Sequence, residues 1–147
     1  MLANIERSTA ARTSSNFAAH VQRESAVRQS ILAAETSTAR ATRLGTEGER
    51  AVGLLGPKVG IRIPGANNLR FPDNLTATTL TEVKNVRKQG FTGQLRDYVN
   101  YSKANNLDLD LFVRGSLHSQ GPTTFTKPLA DAIRRGDITP RYIPGTH

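Results

Sequence analysis

From residue 45 onward the sequence predicts an α/β (α+β) chain, a mixed central sheet flanked by helices, preceded by a polar helical arm. Three observations carry this. Stretches of strict alternation, clearest in "LDLDLFV" at 107–113, are interleaved with stretches of helical spacing such as "QLRDYVNY". Gly and Pro punctuate the intervals between them. Before residue 45 the composition shifts to Ala, Ser, Thr, Arg and Gln, with a thin apolar stripe.

In that first stretch Phe17 and Val21, then Val27 and Ile31, stand four apart, which predicts a weakly amphipathic helix over about 16–43. Residues 1–44 therefore read as an arm or linker, and 45–147 as the domain. "GTEGERAVGLLG" reads as a short helix, with Thr46 as cap and Glu49 completing a capping box. "PKVGIRIPG" alternates Val59, Ile61 and Ile63 and is stopped by Pro64-Gly65, as a strand would be. "ANNLRFPDN" reads as turn. "TLTEVKNV" predicts a strand with Leu80, Glu82, Lys84 and Val86 on one face. "FTGQLRDYVNYSKANN" predicts a helix capped by Thr92, with Leu95 and Val99 on one side and Gln94 and Tyr98 on another. After the 107–113 strand, "TKPLADAIRRG" has Pro128 in a first helical turn and Gly136 at the end. "DITPRYIP" closes the chain as a short strand or extended tail.

The charge balance narrows the function. Twenty Lys and Arg against 12 Asp and Glu leave a formal +8, which draws a chain toward polyanions, nucleic acid above all. With no cysteine, disulfide and thiolate-metal chemistry are excluded. His20, His118 and His147 have no ligand spacing, which speaks against zinc. No apolar run approaches the roughly 20 residues of a membrane span. The N-terminus has no secretory apolar stretch; it is rich in Arg, Ser and Ala, as transit peptides are, and equally suits a piece of a longer protein.

One constellation stands out. Glu82 and Lys84, two apart on a strand, share a face about 7 Å apart. Asp73 precedes that strand and a turn would bring it beside Glu82. Phosphodiester cleavage needs charge stabilised on the attacking and leaving oxygens. Two carboxylates on neighbouring elements suit a hard cation such as Mg²⁺, with Mn²⁺ as an alternative. A lysine beside them can orient or deprotonate water and offset phosphate charge. Arg87, Lys88 and Arg96 follow closely and suit phosphate contacts.

"FPD", eight residues, then "EVK" resembles the Pro-Asp…(Asp/Glu)-x-Lys signature of the restriction-endonuclease-like nuclease superfamily, over residues 45 to about 143. The resemblance implies an acid on the preceding helix, matched by Glu49, and a Gln-x-x-x-Tyr pair on the following one, matched by Gln94 and Tyr98. It implies Glu49, Asp73, Glu82, Lys84 and Gln94 as catalytic positions. A metal would sit at Glu49, Asp73, Glu82 and Val83, and nucleic acid at Arg87, Lys88, Arg96 and Tyr98. More narrowly, the domain is similar to C-terminal nuclease toxins of bacterial polymorphic and contact-dependent systems. That implies delivery from a bacterium as part of a larger toxin, action in the target-cell cytoplasm and a cognate acidic immunity protein. DNA is the favoured substrate; RNA, including tRNA, is the alternative.

Plain structural readings stand beside these. Asp73 also suits a turn. Glu82 and Lys84 suit a solvated strand face, although Leu80 and Val86 on that face argue for burial. The capping box accounts for Glu49 by itself, and Gln94 with Tyr98 suits an exposed helix pair. Asp108 and Asp110 tempt as metal ligands but fit the solvated face of an edge strand better. A non-catalytic nucleic-acid-binding module or an interaction domain would keep the basic excess without needing Asp73, Glu82 and Lys84 together.

Overall fold

A computed structural model describes residues 16–27, 35–54 and 56–147. The chain divides into two units, Met1–Arg40 and Ala41–His147. In the first, a helix (α1) covers 16–27, and its Phe17, Val21 and Val27 are all exposed. Ile31 and Leu32, the rest of the expected stripe, lie outside the described residues.

Where a helix ending near 43 and a second one starting near 46 were expected, one helix, α2, runs Ser37–Val52. Its start is made by Thr36, whose Oγ1 accepts the Ala39 N–H at 3.1 Å. Thr46 is therefore mid-helix, its hydroxyl donating back to the Thr42 carbonyl at 3.1 Å, and the capping box at Thr46 and Glu49 is corrected. Glu49 is left free of capping work. α2 stops at Gly53, whose φ of 85° is the left-handed turn that glycine adopts without strain.

β1 (Ile61–Arg62) and β2 (Leu69–Arg70) form a two-residue antiparallel hairpin. β3 (Asn74–Leu75) then pairs antiparallel with β4 (Thr79–Lys84). The turn between β3 and β4 has no Gly or Pro. Thr76 makes it, its Oγ1 accepting from the N–H groups of Thr78 and Thr79. The stretch from 66 to 74 reads as turn because Asn, Pro and Asp crowd it, so β2 and the start of β3, strands of only two residues each, go unseen. β5 (Lys88–Gln89) leads to α3 (Gly93–Asn105), capped as expected by Thr92, which accepts the Leu95 N–H at 3.3 Å. β6 (Asp108–Val113) follows, then β7 (Thr124–Phe125), α4 (Lys127–Arg134) and β8 (Thr139–Tyr142).

The main sheet has the order β3-β4-β6-β8, with β4, β6 and β8 parallel and β3 antiparallel at one edge. Parallel neighbours need crossovers, and α3 and α4 supply them. β5 and β7 pair parallel as a separate ribbon. β6 is thus internal, not the edge strand its alternation suggested: Leu109, Leu111 and Val113 are buried, Asp108 is exposed, and Asp110 pairs with Arg141 of β8 at 3.3 Å. Neither aspartate lines the cleft described below.

The core collects Leu80 of β4, Leu95, Tyr98 and Val99 of α3, Leu111 of β6 and Leu129 of α4. Each fully buried leucine contributes roughly 1.5–3 kcal/mol. β4 is buried from Leu80 to Val83, so Glu82 enters the interior with its strand and a carboxylate is held out of water by the sheet itself.

Candidate active site

The register decides the site. Asn74 faces Thr81, so Asp73, one residue earlier, stands level with Glu82. The Asp73 carboxylate extends the ladder beyond β3: its Oδ2 accepts the Val83 N–H at 2.7 Å. A turn aspartate is thereby locked to the strand that carries Glu82 and Lys84.

Lys84 is held from two sides. Its Nζ lies 2.8 Å from Glu82 Oε1 and donates to Gln94 Oε1 at 2.8 Å. Gln94 comes from the first turn of α3, and its Nε2 donates to the Tyr98 hydroxyl at 3.2 Å. The four-residue spacing puts Gln94 and Tyr98 one above the other on the helix. Gln94 joins the cleft as expected. Tyr98 does not face solvent: it is fully buried with its hydroxyl on Gln94, which corrects the expectation of a nucleic-acid contact there. Burial, with the Glu82 carboxylate adding, pushes its phenol well above the usual range.

Glu49 approaches from α2, which lies close to β4 because residue 48 is glycine: a Cβ there would meet Asn85 Cβ at 3.0 Å and Val83 Cγ1 at 3.1 Å. Val83 and Asn85 alternate with Glu82 and Lys84 along the strand direction, so α2 faces the other side. Glu49 is linked to Asp73 through a residue with no role in the sequence reading. Lys58 donates to Glu49 Oε1 at 3.0 Å and to Asp73 Oδ1 at 2.6 Å. Burial alone would lower the Lys58 ammonium, but its bonds to Asp73 and Glu49 outweigh that and raise it.

Glu82 is the strained member. It is 4% exposed, and burial pushes its carboxyl up to about 7, with Lys84 pulling it back and Asp73 pushing it further. Its Oε2 is buried and has no hydrogen-bond partner among the described residues. A buried carboxylate oxygen without a donor is a costly acceptor, and a hard cation is one way to satisfy it. Among the described residues no group of three or more His, Asp or Glu side chains is placed to hold a metal ion by itself. Glu49, Asp73 and Glu82 thus do not form a three-acid cage. Asp73 and Glu82 remain a two-carboxylate pair of the kind that suits Mg²⁺, which keeps several waters.

The pair opens into a cleft of about 340 Å³ lined by Glu49, Lys58, Phe71, Asp73, Glu82 and Lys84, with Val83 and Gln94 also on its wall. Arg87 and Lys88 are exposed on the stretch leaving β4, and Arg96 is exposed on α3 with its guanidinium 5.2 Å from the centre of the Phe91 ring. None of the three lines the cleft.

Asn85 and Arg114 also escaped the sequence reading. Val113 pairs with Lys84, so the two next residues are level, and Arg114 donates to the Asn85 side chain at 2.7 Å and to its carbonyl at 3.0 Å. Asn85 in turn donates to the Leu44 carbonyl of α2 at 2.7 Å. Their only signal is position, at the ends of two parallel strands. Lys58 had no signal at all, since 15 residues separate it from Asp73.

Comparison with known proteins gives one result. The family model described as Restriction endonuclease fold toxin 7 matches residues 45–121. No curated protein and no solved structure matches the chain.

Proposed function

The chain belongs to the restriction endonuclease fold toxin 7 family, a family of nuclease toxins, and on that premise we propose that it is a divalent-metal-dependent endonuclease that cuts DNA. The observation that carries this reading is the pairing of β3 with β4, which sets Asp73 level with Glu82 while Lys84 lies 2.8 Å from Glu82. A solvated strand face has no use for a buried acid with an unsatisfied oxygen.

In this reading Asp73 and Glu82 would hold the cation, with Val83 beside them and Glu49 at the rim. The cation would supply charge neutralisation at the attacking and leaving oxygens. Lys84 positions the attacking water and helps to remove its proton, and it offsets phosphate charge. Gln94 aims Lys84, Tyr98 keeps Gln94 in one rotamer, and Val83 N–H keeps Asp73 turned toward Glu82. Arg87, Lys88 and Arg96 draw the phosphate backbone to the cleft mouth.

The family also implies delivery. In this proposal a larger bacterial toxin carries the domain to a target-cell cytoplasm, and an acidic immunity protein protects the producer. Among the described residues no helix is long and apolar enough to cross a membrane.

The test is incubation of the purified protein with plasmid DNA and with total tRNA, each with Mg²⁺ and with a chelator. Cleavage of plasmid that stops in chelator is the expected result. Cleavage of tRNA alone moves the substrate to RNA. No cleavage of either with Mg²⁺ or Mn²⁺ removes the catalytic reading and leaves a binding module.

A further inference from the structure

We propose that Lys58 is a resident counter-ion of the metal site, a positioning residue that holds Glu49 and Asp73 in place and gives way when a divalent cation loads. The inference rests on the nuclease reading and names a device within it.

Asp73 has two oxygens and both are engaged. Oδ2 takes the backbone N–H of Val83, a bond that fixes the carboxylate to β4. Oδ1 takes the Lys58 ammonium at 2.6 Å, and the same ammonium reaches Glu49 Oε1 at 3.0 Å. A second cation on Oδ1 would stand against that ammonium, and like charges at such range repel by one to several kcal/mol. That repulsion favours the departure of one of the two.

The surroundings indicate which. Lys84 is fixed on a buried strand and clasped by Glu82 and Gln94. Lys58 sits in the exposed stretch 56–60, which carries no strand or helix, and its side chain remains 38% accessible. Lys58 can swing to solvent, or to a phosphate, without breaking an element. Until then it keeps Glu49 and Asp73, carried by different elements, from repelling each other. Lys58 thereby sets how readily the site loads.

The experiment is calorimetric titration of Mn²⁺ into the full chain: wild type, Lys58→Gln, which donates without charge, and Lys58→Arg, which keeps the charge. Lys58→Gln is expected to bind roughly tenfold more tightly than wild type, the scale of one removed neighbouring charge. Lys58→Arg is expected to bind no more tightly. Binding by Lys58→Gln with none by wild type also supports the proposal. Equal or weaker binding by a folded Lys58→Gln overturns it, while cleavage by wild type leaves the nuclease reading standing. No binding by either protein, with no cleavage, overturns both. Should Lys58→Gln fail to fold, the unmodified protein decides: the Lys58 ε-methylene NMR signal should move on addition of Mg²⁺. A stationary signal while Mg²⁺ is bound overturns the proposal.

Discussion

Glu82 carries a pH signature that needs no substrate to observe. Its ordinary carboxyl value is 4.5, and burial raises it to about 7. Between those values the folded protein holds a proton that the unfolded chain has released. Stability linked to Glu82 is therefore fully present below about 4.5 and is lost as pH rises through about 7, by about 3 kcal/mol. Urea unfolding in chelator at pH 5 and pH 8 should show this loss in the wild type and not in Glu82→Gln; equal slopes would remove Glu82 as its source. Activity should run the other way in the proposed mechanism, where an ionised Glu82 would hold the cation. The three residues proposed to act as a unit should also fail together. Asp73→Ala, Glu82→Ala and Lys84→Ala should each lower plasmid cleavage by roughly 10³-fold or more while circular dichroism stays native. A folded variant with near wild-type cleavage takes that residue out of the mechanism.

Two elements, α2 and α3, bring their side chains to one strand, and their docking is testable separately from the chemistry. α2 lies against β4 at Gly48, where a Cβ would already be tight at 3.0 Å from Asn85 and 3.1 Å from Val83. Gly48→Val should force the helix away, costing about 1–3 kcal/mol in urea unfolding and lowering cleavage as Glu49 shifts. Unchanged stability would mean that the contact is not rigid. α2 also sets where the chain can be shortened. A chain beginning at residue 35 keeps the Thr36 cap and all of α2, and should fold and cut. One beginning at 45 loses half the helix and the Leu44 carbonyl that Asn85 donates to, and should melt lower. If both behave alike, the first half of α2 contributes nothing to the fold; if the longer is folded and inactive, residues before 35 serve the substrate or the active assembly.

At the scale of the whole molecule the formal +8 is the dominant property. It favours fast association with any polyanion, and an acidic inhibitor would use the same attraction as the substrate. The proposed immunity protein should cover the face carrying Lys84, Arg87 and Lys88, or a neighbouring basic surface that bars entry. Raising salt should then weaken binding mainly through a slower on-rate. Stopped-flow association at low and high ionic strength reads this directly. An on-rate indifferent to salt would point to an apolar interface instead, and a neighbouring gene product that neither binds nor protects would remove the partner.

Local sequence determined the parts whose physics is local. The alternation of "LDLDLFV" became β6, Thr92 capped α3, and Pro128 and Gly136 bracket α4, because side-chain period, capping and backbone freedom act within a few residues. Asp73, Glu82 and Lys84 were legible as candidates because a strand fixes the spacing of such charges, and Gln94 through the Gln-x-x-x-Tyr pair that the family resemblance implies. What the sequence could not supply was register and approach. That Asp73 stands level with Glu82 follows from a Thr76 turn with no Gly or Pro in it. That Glu49 is free of capping follows from a helix that starts at Ser37, since nothing near residue 45 competes with helix continuation strongly enough to break it. That Tyr98 is buried follows from α3 lying on the sheet. Lys58, Asn85 and Arg114 entered only through space: their partners are 15, 41 and 29 residues away, and long-range contacts of that kind are set by how the elements pack, which only the folded chain decides.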